Sequence, residues 1–161
     1  MATVQLKMLL DGTEPGLAQH RLSIQSFSKP LGELLRALQI TASRILADAL
    51  DDPDYGEQGG QRKKPAMQLD LELFQIAGGC AELAFDIVYH HLPGESEKQL
   101  ELLDSLPERA AVRLIDDIEH EQKGQLRNAP VRRFLQSLPR GIERQKYSVQ
   151  SDNRVIKNVE F

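Results

Sequence analysis

The spacing of apolar residues divides the chain into strand-like and helix-like segments. From Thr3 to Leu10, apolar and polar residues alternate with a period of two, which predicts a β-strand. Asp11-Gly12 is expected to end that strand. Leu22 and Ile24 alternate in the same way within residues 21–25, which predicts a short second strand and a hairpin with the first.

The strongest pattern runs from Pro30 to Leu50. Apolar residues recur every three or four positions, at Leu31, Leu34, Leu35, Leu38, Ala42, Ile45, Leu46 and Ala49. This spacing predicts an amphipathic helix of about 30 Å, capped by Ser26 or Ser28, with Pro30 in its first turn. Residues 51–66 contain three glycines, two prolines and no apolar period, which predicts a flexible loop.

Residues 67–73 and 81–89 alternate again, on either side of a glycine-containing turn at 77–80, and predict a second hairpin. Phe74 and Ile76 fall out of phase with the residues before them. A β-bulge is therefore expected near Leu73.

The remaining chain predicts three helices followed by two strands. Ser96 with Gln99 and Ser105 with Glu108 have capping-box spacing, so that a helix is expected to begin at each serine. The second of these helices is expected to stop at Gly124, and a third to run from Asn128 to Pro139. Residues 142–161 alternate, with a turn at 151–153.

Together these elements predict an α+β fold in one domain, residues 1–161. Its two or three antiparallel hairpins pack against one long amphipathic helix and a C-terminal group of three shorter helices. With 40% hydrophobic residues, 161 residues are enough for a genuine core. A single cysteine, Cys80, excludes a disulfide scaffold and a thiolate-rich zinc site. No apolar run reaches membrane-spanning length and the first residues do not resemble a signal peptide, so a cytoplasmic protein without a membrane partner is expected.

Charge is distributed unevenly along the chain. Residues 1–120 carry 11 basic and 20 acidic side chains, whereas residues 121–161 carry nine and four. The basic C-terminal segment is the predicted binding surface for a protein partner or a nucleic acid. Its candidate residues are Arg127, Arg132, Arg133, Arg140, Arg144 and Lys146.

Candidate chemistry centres on one predicted helix. Asp116 and His120 are four residues apart, as two metal ligands on one helical face would be. The spacing of Arg113 and His120 resembles that of the HEPN ribonucleases, which implies a catalytic pair for phosphodiester cleavage. The resemblance covers only these two residues, and the all-helical fold of that family does not match a chain with several predicted strands. No motif indicates a cofactor.

The sequence therefore favours a non-enzymatic protein–protein interaction module, an accessory or regulatory subunit that binds a protein partner or a second copy of itself. The first alternative is a nucleic-acid-associated regulator that uses the basic segment. The second alternative is a metal-dependent or HEPN-like hydrolase or nuclease centred on His120.

Overall fold

The computed structural model describes residues 4–17, 24–50, 69–77, 81–89, 97–125, 128–153 and 156–161. The elements, in chain order, are β1 (Val4–Thr13), α1 (Ile24–Leu50), β2 (Leu69–Ala77), β3 (Ala81–Tyr89), α2 (Glu97–Gln122), α3 (Ala129–Ser137), β4 (Glu143–Asp152) and β5 (Ile156–Glu160). The loop predicted at 51–66 lies outside the described residues.

The five strands form one antiparallel sheet in the order β2-β3-β1-β4-β5. Alternate residues of β1 are buried, which gives the sheet a core face and an open face. The registers Leu6↔Phe85 and Met8↔Val149 place the buried residues of β3 and β4 on the same core face. The predicted α+β class is confirmed.

The three helices contribute to one hydrophobic core with this face of the sheet. Leu34, Leu38 and Leu46 of α1 are fully or almost fully buried, as the three-to-four spacing requires. Leu114 and Ile118 of α2 are fully buried too. Within the described ranges, no helix combines the length and the apolar character needed to cross a membrane.

The predicted strand at 21–25 is wrong, because Ile24 and Gln25 form the first turn of α1. β1 pairs with β3 on one side and with β4 on the other, so neither side of this strand is open to the expected hairpin. In the sequence, Ile24, Phe27 and Leu31 continue the helical spacing toward the N-terminus, and this longer period overrides a two-residue alternation. Pro30 is then the seventh residue of the helix rather than part of its first turn.

The prediction of four helices is also wrong, because one helix, α2, covers the two segments that were expected to form separate helices. Pro107 lies inside α2, where it removes one backbone hydrogen bond. The apolar stripe nevertheless stays in phase across it, since Leu106, Ala110 and Leu114 follow one another at intervals of four and are all fully buried. Burial on both sides of the proline keeps the helix continuous.

Several local predictions are confirmed. The register between β2 and β3 shifts between Leu73 and Gln75, where a bulge was expected. Asn128 caps α3 by accepting a hydrogen bond from the Val131 N–H. Gly124, with a φ of 71°, follows the end of α2, and the Gln125 N–H donates to the His120 carbonyl across it.

The first strand continues beyond the point where it was expected to end. Its register with β4 shifts between Asp11 and Thr13. Gly12 lies within this irregularity with a φ of 144°, and its N–H donates to Asp11 Oδ1. The glycine thus allows a bulge that bends β1 without ending it.

Candidate functional site

The proposed basic residues whose side chains the structure describes lie on different parts of the fold. Arg132 and Arg133 are exposed on α3, in the helical layer, and Arg140 is exposed between α3 and β4. Lys146 is exposed on β4 opposite Asp11, and therefore leaves the sheet on its open face. Arg144 belongs to β4, and Arg127 lies outside the described residues.

One of these arginines takes part in an internal network. Arg132 Nε donates to Glu121 Oε1 at 2.8 Å, and Glu121 Oε2 accepts the Asn128 N–H at 3.0 Å. Glu121 therefore ties the end of α2 to the start of α3. This contact gives Arg132 a structural role besides any role in binding.

The structure places the candidate catalytic and metal-ligating residues on α2. His120 is exposed, and its Nδ1 lies 2.7 Å from the Asp116 carbonyl oxygen. The Asp116 carboxylate instead pairs with Lys157 of β5, Oδ1 to Nζ 3.0 Å. In the part of the chain that the structure describes, no three His, Cys, Asp or Glu side chains converge as a metal site would require.

Arg113 lies in a different environment. Its Nε donates to Asp117 Oδ1 at 3.2 Å, and Asp117 Oδ2 accepts from Asn128 Nδ2 at 3.3 Å. Asp117 is 6% exposed, so this buried carboxylate is satisfied from two sides. Arg113 and His120 therefore have separate hydrogen-bond partners.

β2 forms one of the two edges of the sheet. β2 is nine residues long and pairs with β3 on one side only, with no described strand on its other side. An edge strand presents N–H and carbonyl groups that another extended chain can pair with. Residues 69–73, before the bulge, keep a regular register with β3.

Carboxylates accompany this edge. Asp70 and Glu72 are exposed, and the register Glu72↔Asp86 sets Asp86 of β3 beside them on the open face. We call these three residues the acidic edge. None of them forms an ion pair with a described residue, and Asp86 Oδ1 is a buried oxygen without a hydrogen-bond partner among those residues. Like charges directly opposite on neighbouring strands are destabilising.

Asp70 also occupies a backbone donor of the edge. Its Oδ1 accepts the Leu71 N–H at 2.8 Å. Because alternate residues of an edge strand direct their backbone groups away from the neighbouring strand, Leu71 is one of the positions open to a further strand. An incoming strand would have to displace the Asp70 carboxylate.

Sequence reasoning predicted the β2–β3 hairpin but did not single out the acidic edge. The signal is visible in the sequence as Asp70 and Glu72, two residues apart in an alternating strand. What the sequence alone did not reveal is that Asp86 faces Glu72, since this depends on the register across the turn.

Comparison of the chain with models of protein families, with curated proteins and with solved structures finds no match.

Proposed function

We propose that this protein is a protein–protein interaction module that binds an extended, basic segment of a partner along residues 69–73 of β2. The observation that carries the proposal is a long edge strand, unpaired on one side among the described residues, beside three carboxylates that form no ion pair with a described residue. Main-chain hydrogen bonds would supply affinity and the carboxylates would supply selectivity.

The geometry of a strand defines the chemistry of the partner. Asp70 and Glu72 are two residues apart and share the open face, so Lys or Arg at alternate positions of an added strand would lie beside both. The residues between them would lie on the other face, next to the half-buried Leu71, and should be apolar. The cations would also relieve the repulsion between Glu72 and Asp86, which costs up to about 1 kcal/mol.

The test uses a short fluorescein-labelled peptide in which lysine and valine alternate, with fluorescence anisotropy as the readout. The wild-type chain should bind it, and should not bind the same peptide with glutamate in place of lysine. Glu72→Lys should weaken binding by about five- to tenfold, because it replaces an attraction with a repulsion. Glu160→Lys is the matched control, since Glu160 is an exposed residue on the open face at the other edge of the sheet.

Backbone pairing is tested separately from charge. Methylating alternate peptide nitrogens on the side that faces β2 should abolish binding, whereas methylating the other set should not. An equal loss of peptide affinity in Glu72→Lys and Glu160→Lys would contradict the proposal. So would peptide binding that does not depend on which set of nitrogens is methylated. If the chain self-associates and Glu72→Lys abolishes that self-association, the occupant of the edge is a second copy of this chain rather than a basic partner.

The nucleic-acid alternative is supported less well, because those of its basic residues whose side chains the structure describes lie on different layers of the fold. A short RNA in the same assay tests it. Binding that falls steeply with salt, and that Arg133→Gln weakens, would favour that alternative over strand addition.

A further inference from the structure

A polar cleft of about 90 Å³ lies between α1, α2 and the start of α3. It is lined by Thr41, Arg44, Ile45, Asp48, Arg113, Asp117 and Asn128. The cleft lies in the helical layer, away from the acidic edge, and its volume has room for a molecule of a few non-hydrogen atoms.

Arg113 lines this cleft with a side chain that is 63% exposed and is anchored at its Nε. The buried Asp117 carboxylate binds its Nε, and Asn128 fixes that carboxylate from the other side. Asn128 is fixed in turn, because its Oδ1 caps α3 through the Val131 N–H. Since Asp117 accepts from Nε, the two terminal amino groups of Arg113 keep N–H donors for another acceptor.

Two further donors line the same cleft. Thr41 is 4% exposed and lines the cleft, so its hydroxyl can donate to an acceptor bound there. Arg44 is exposed and forms no ion pair within the described residues, although Asp48 is one helical turn away.

We propose that this cleft binds the oxyanion group of a small molecule, through the guanidinium groups of Arg44 and Arg113 and the hydroxyl of Thr41. Two guanidinium groups and one hydroxyl line the cleft as donors, which matches an acceptor that carries negative charge. Asp48 is exposed at the cleft and repels a second negative charge. A carboxylate is therefore expected to bind better than a phosphate dianion.

The experiment is an NMR titration of the full chain with sodium acetate, with inorganic phosphate, and with sodium chloride as the control for ionic strength. Acetate should shift the Asn128 side-chain amide signals saturably, in the millimolar range. Arg44→Gln should weaken binding by about tenfold, the size expected for a lost charge-assisted hydrogen bond. Arg36→Gln should leave it unchanged, because Arg36 is an exposed arginine of α1 outside the cleft.

Thr41→Val distinguishes a ligand site from a structural cluster. Valine keeps the shape of threonine and removes the hydroxyl, so acetate affinity should fall several-fold while the free energy of unfolding changes little. Phosphate binding more tightly than acetate would overturn the carboxylate preference. Shifts that chloride reproduces, or affinity unchanged in both Thr41→Val and Arg44→Gln, would overturn the site. These results do not depend on β2, so they stand or fall separately from strand addition.

Discussion

The two edges of the sheet are built differently. β5 is five residues long, and its Lys157 lies on the core face, where its Nζ binds Asp116 of α2 at 3.0 Å. β2 is nine residues long, and its exposed charges are carboxylates on the open face. A short edge strand with an inward-pointing lysine is a common protection against unwanted pairing. β5 has both protective features, and β2 has neither.

The residue that follows β5 also anchors it. Phe161 donates its N–H to the Tyr147 carbonyl at 2.9 Å. Its ring makes edge contacts with Phe134, at 5.7 Å between centroids, and with Tyr147, at 6.5 Å. The β5 edge is thus tied to α2, α3 and β4, whereas the acidic edge has no ion pair to any described element. This difference supports docking at β2 rather than at β5.

The largest effect on stability is expected from removing the ring of Phe134, which contacts Phe161, the residue after β5. Phe134 is fully buried, so Phe134→Ala should lower the free energy of unfolding by about 3–5 kcal/mol. Leu71→Ala on β2 should cost only about 1 kcal/mol, because Leu71 is half-buried. Urea denaturation measures both. Equal losses would contradict the view that one edge is anchored and the other is not.

The next largest effect on stability is expected at Asn128, the N-cap of α3. Asn128→Ala should cost about 2 kcal/mol, since it removes the cap of α3 and leaves Asp117 Oδ2 without its donor. Asn158→Ala, at an exposed position on β5, should change stability little. If peptide binding at the acidic edge falls as far as stability does with Asn128→Ala, the two edges are coupled and the comparison fails.

Features that depend on residues close together in the sequence could be predicted. The bulge after Leu73 appears as a change in apolar phase, and the cap at Asn128 follows from residue type and neighbouring proline. The continuity of α2 through Pro107 was missed because two capping boxes matched isolated helix starts. The burial of Leu106, Ala110 and Leu114 in one phase across Pro107 favours one helix over two.

Positions that depend on distant pairing could not be predicted. β1 lies between β3 and β4, and its register with β4 places Lys146 on the open face of the sheet. Arg133, in contrast, lies on α3 in the helical layer. The cleft likewise depends on Asn128 reaching Asp117, eleven residues earlier. A charge count treats all these residues as one basic segment.

The third effect depends on pH. Burial raises the pKa of Tyr147 to about 12, with a smaller contribution from the negative charge of Glu14. The Tyr147 hydroxyl also donates to the Pro139 carbonyl at 3.0 Å. Above pH 10 the unfolded chain releases this proton before the folded chain does, so stability should fall between pH 10 and about 12. Absorbance at the tyrosinate band should show one late titration.

Tyr147→Phe is the control for this pH effect. It removes the ionisable group, so the variant should lose the late titration and lose less stability than the wild type over the same pH interval. Because the ring contacts Phe161, amides of β5 should lose protection from hydrogen exchange earlier in this interval than amides of β2. The opposite order would show that β5 is not anchored through Tyr147.

The smallest expected effect is that of the Lys157–Asp116 pair. Both side chains are about one-third exposed, so Lys157→Gln should cost less than about 1 kcal/mol, and the loss should shrink as salt is added. Lys146→Gln on β4 is the control, because Lys146 is exposed and has no ion pair among the described residues. If the lysine protects the edge, Lys157→Gln should self-associate at concentrations at which Lys146→Gln stays monomeric, measured by light scattering. Self-association in neither variant would mean that the shortness of β5, rather than its charge, keeps that edge unpaired.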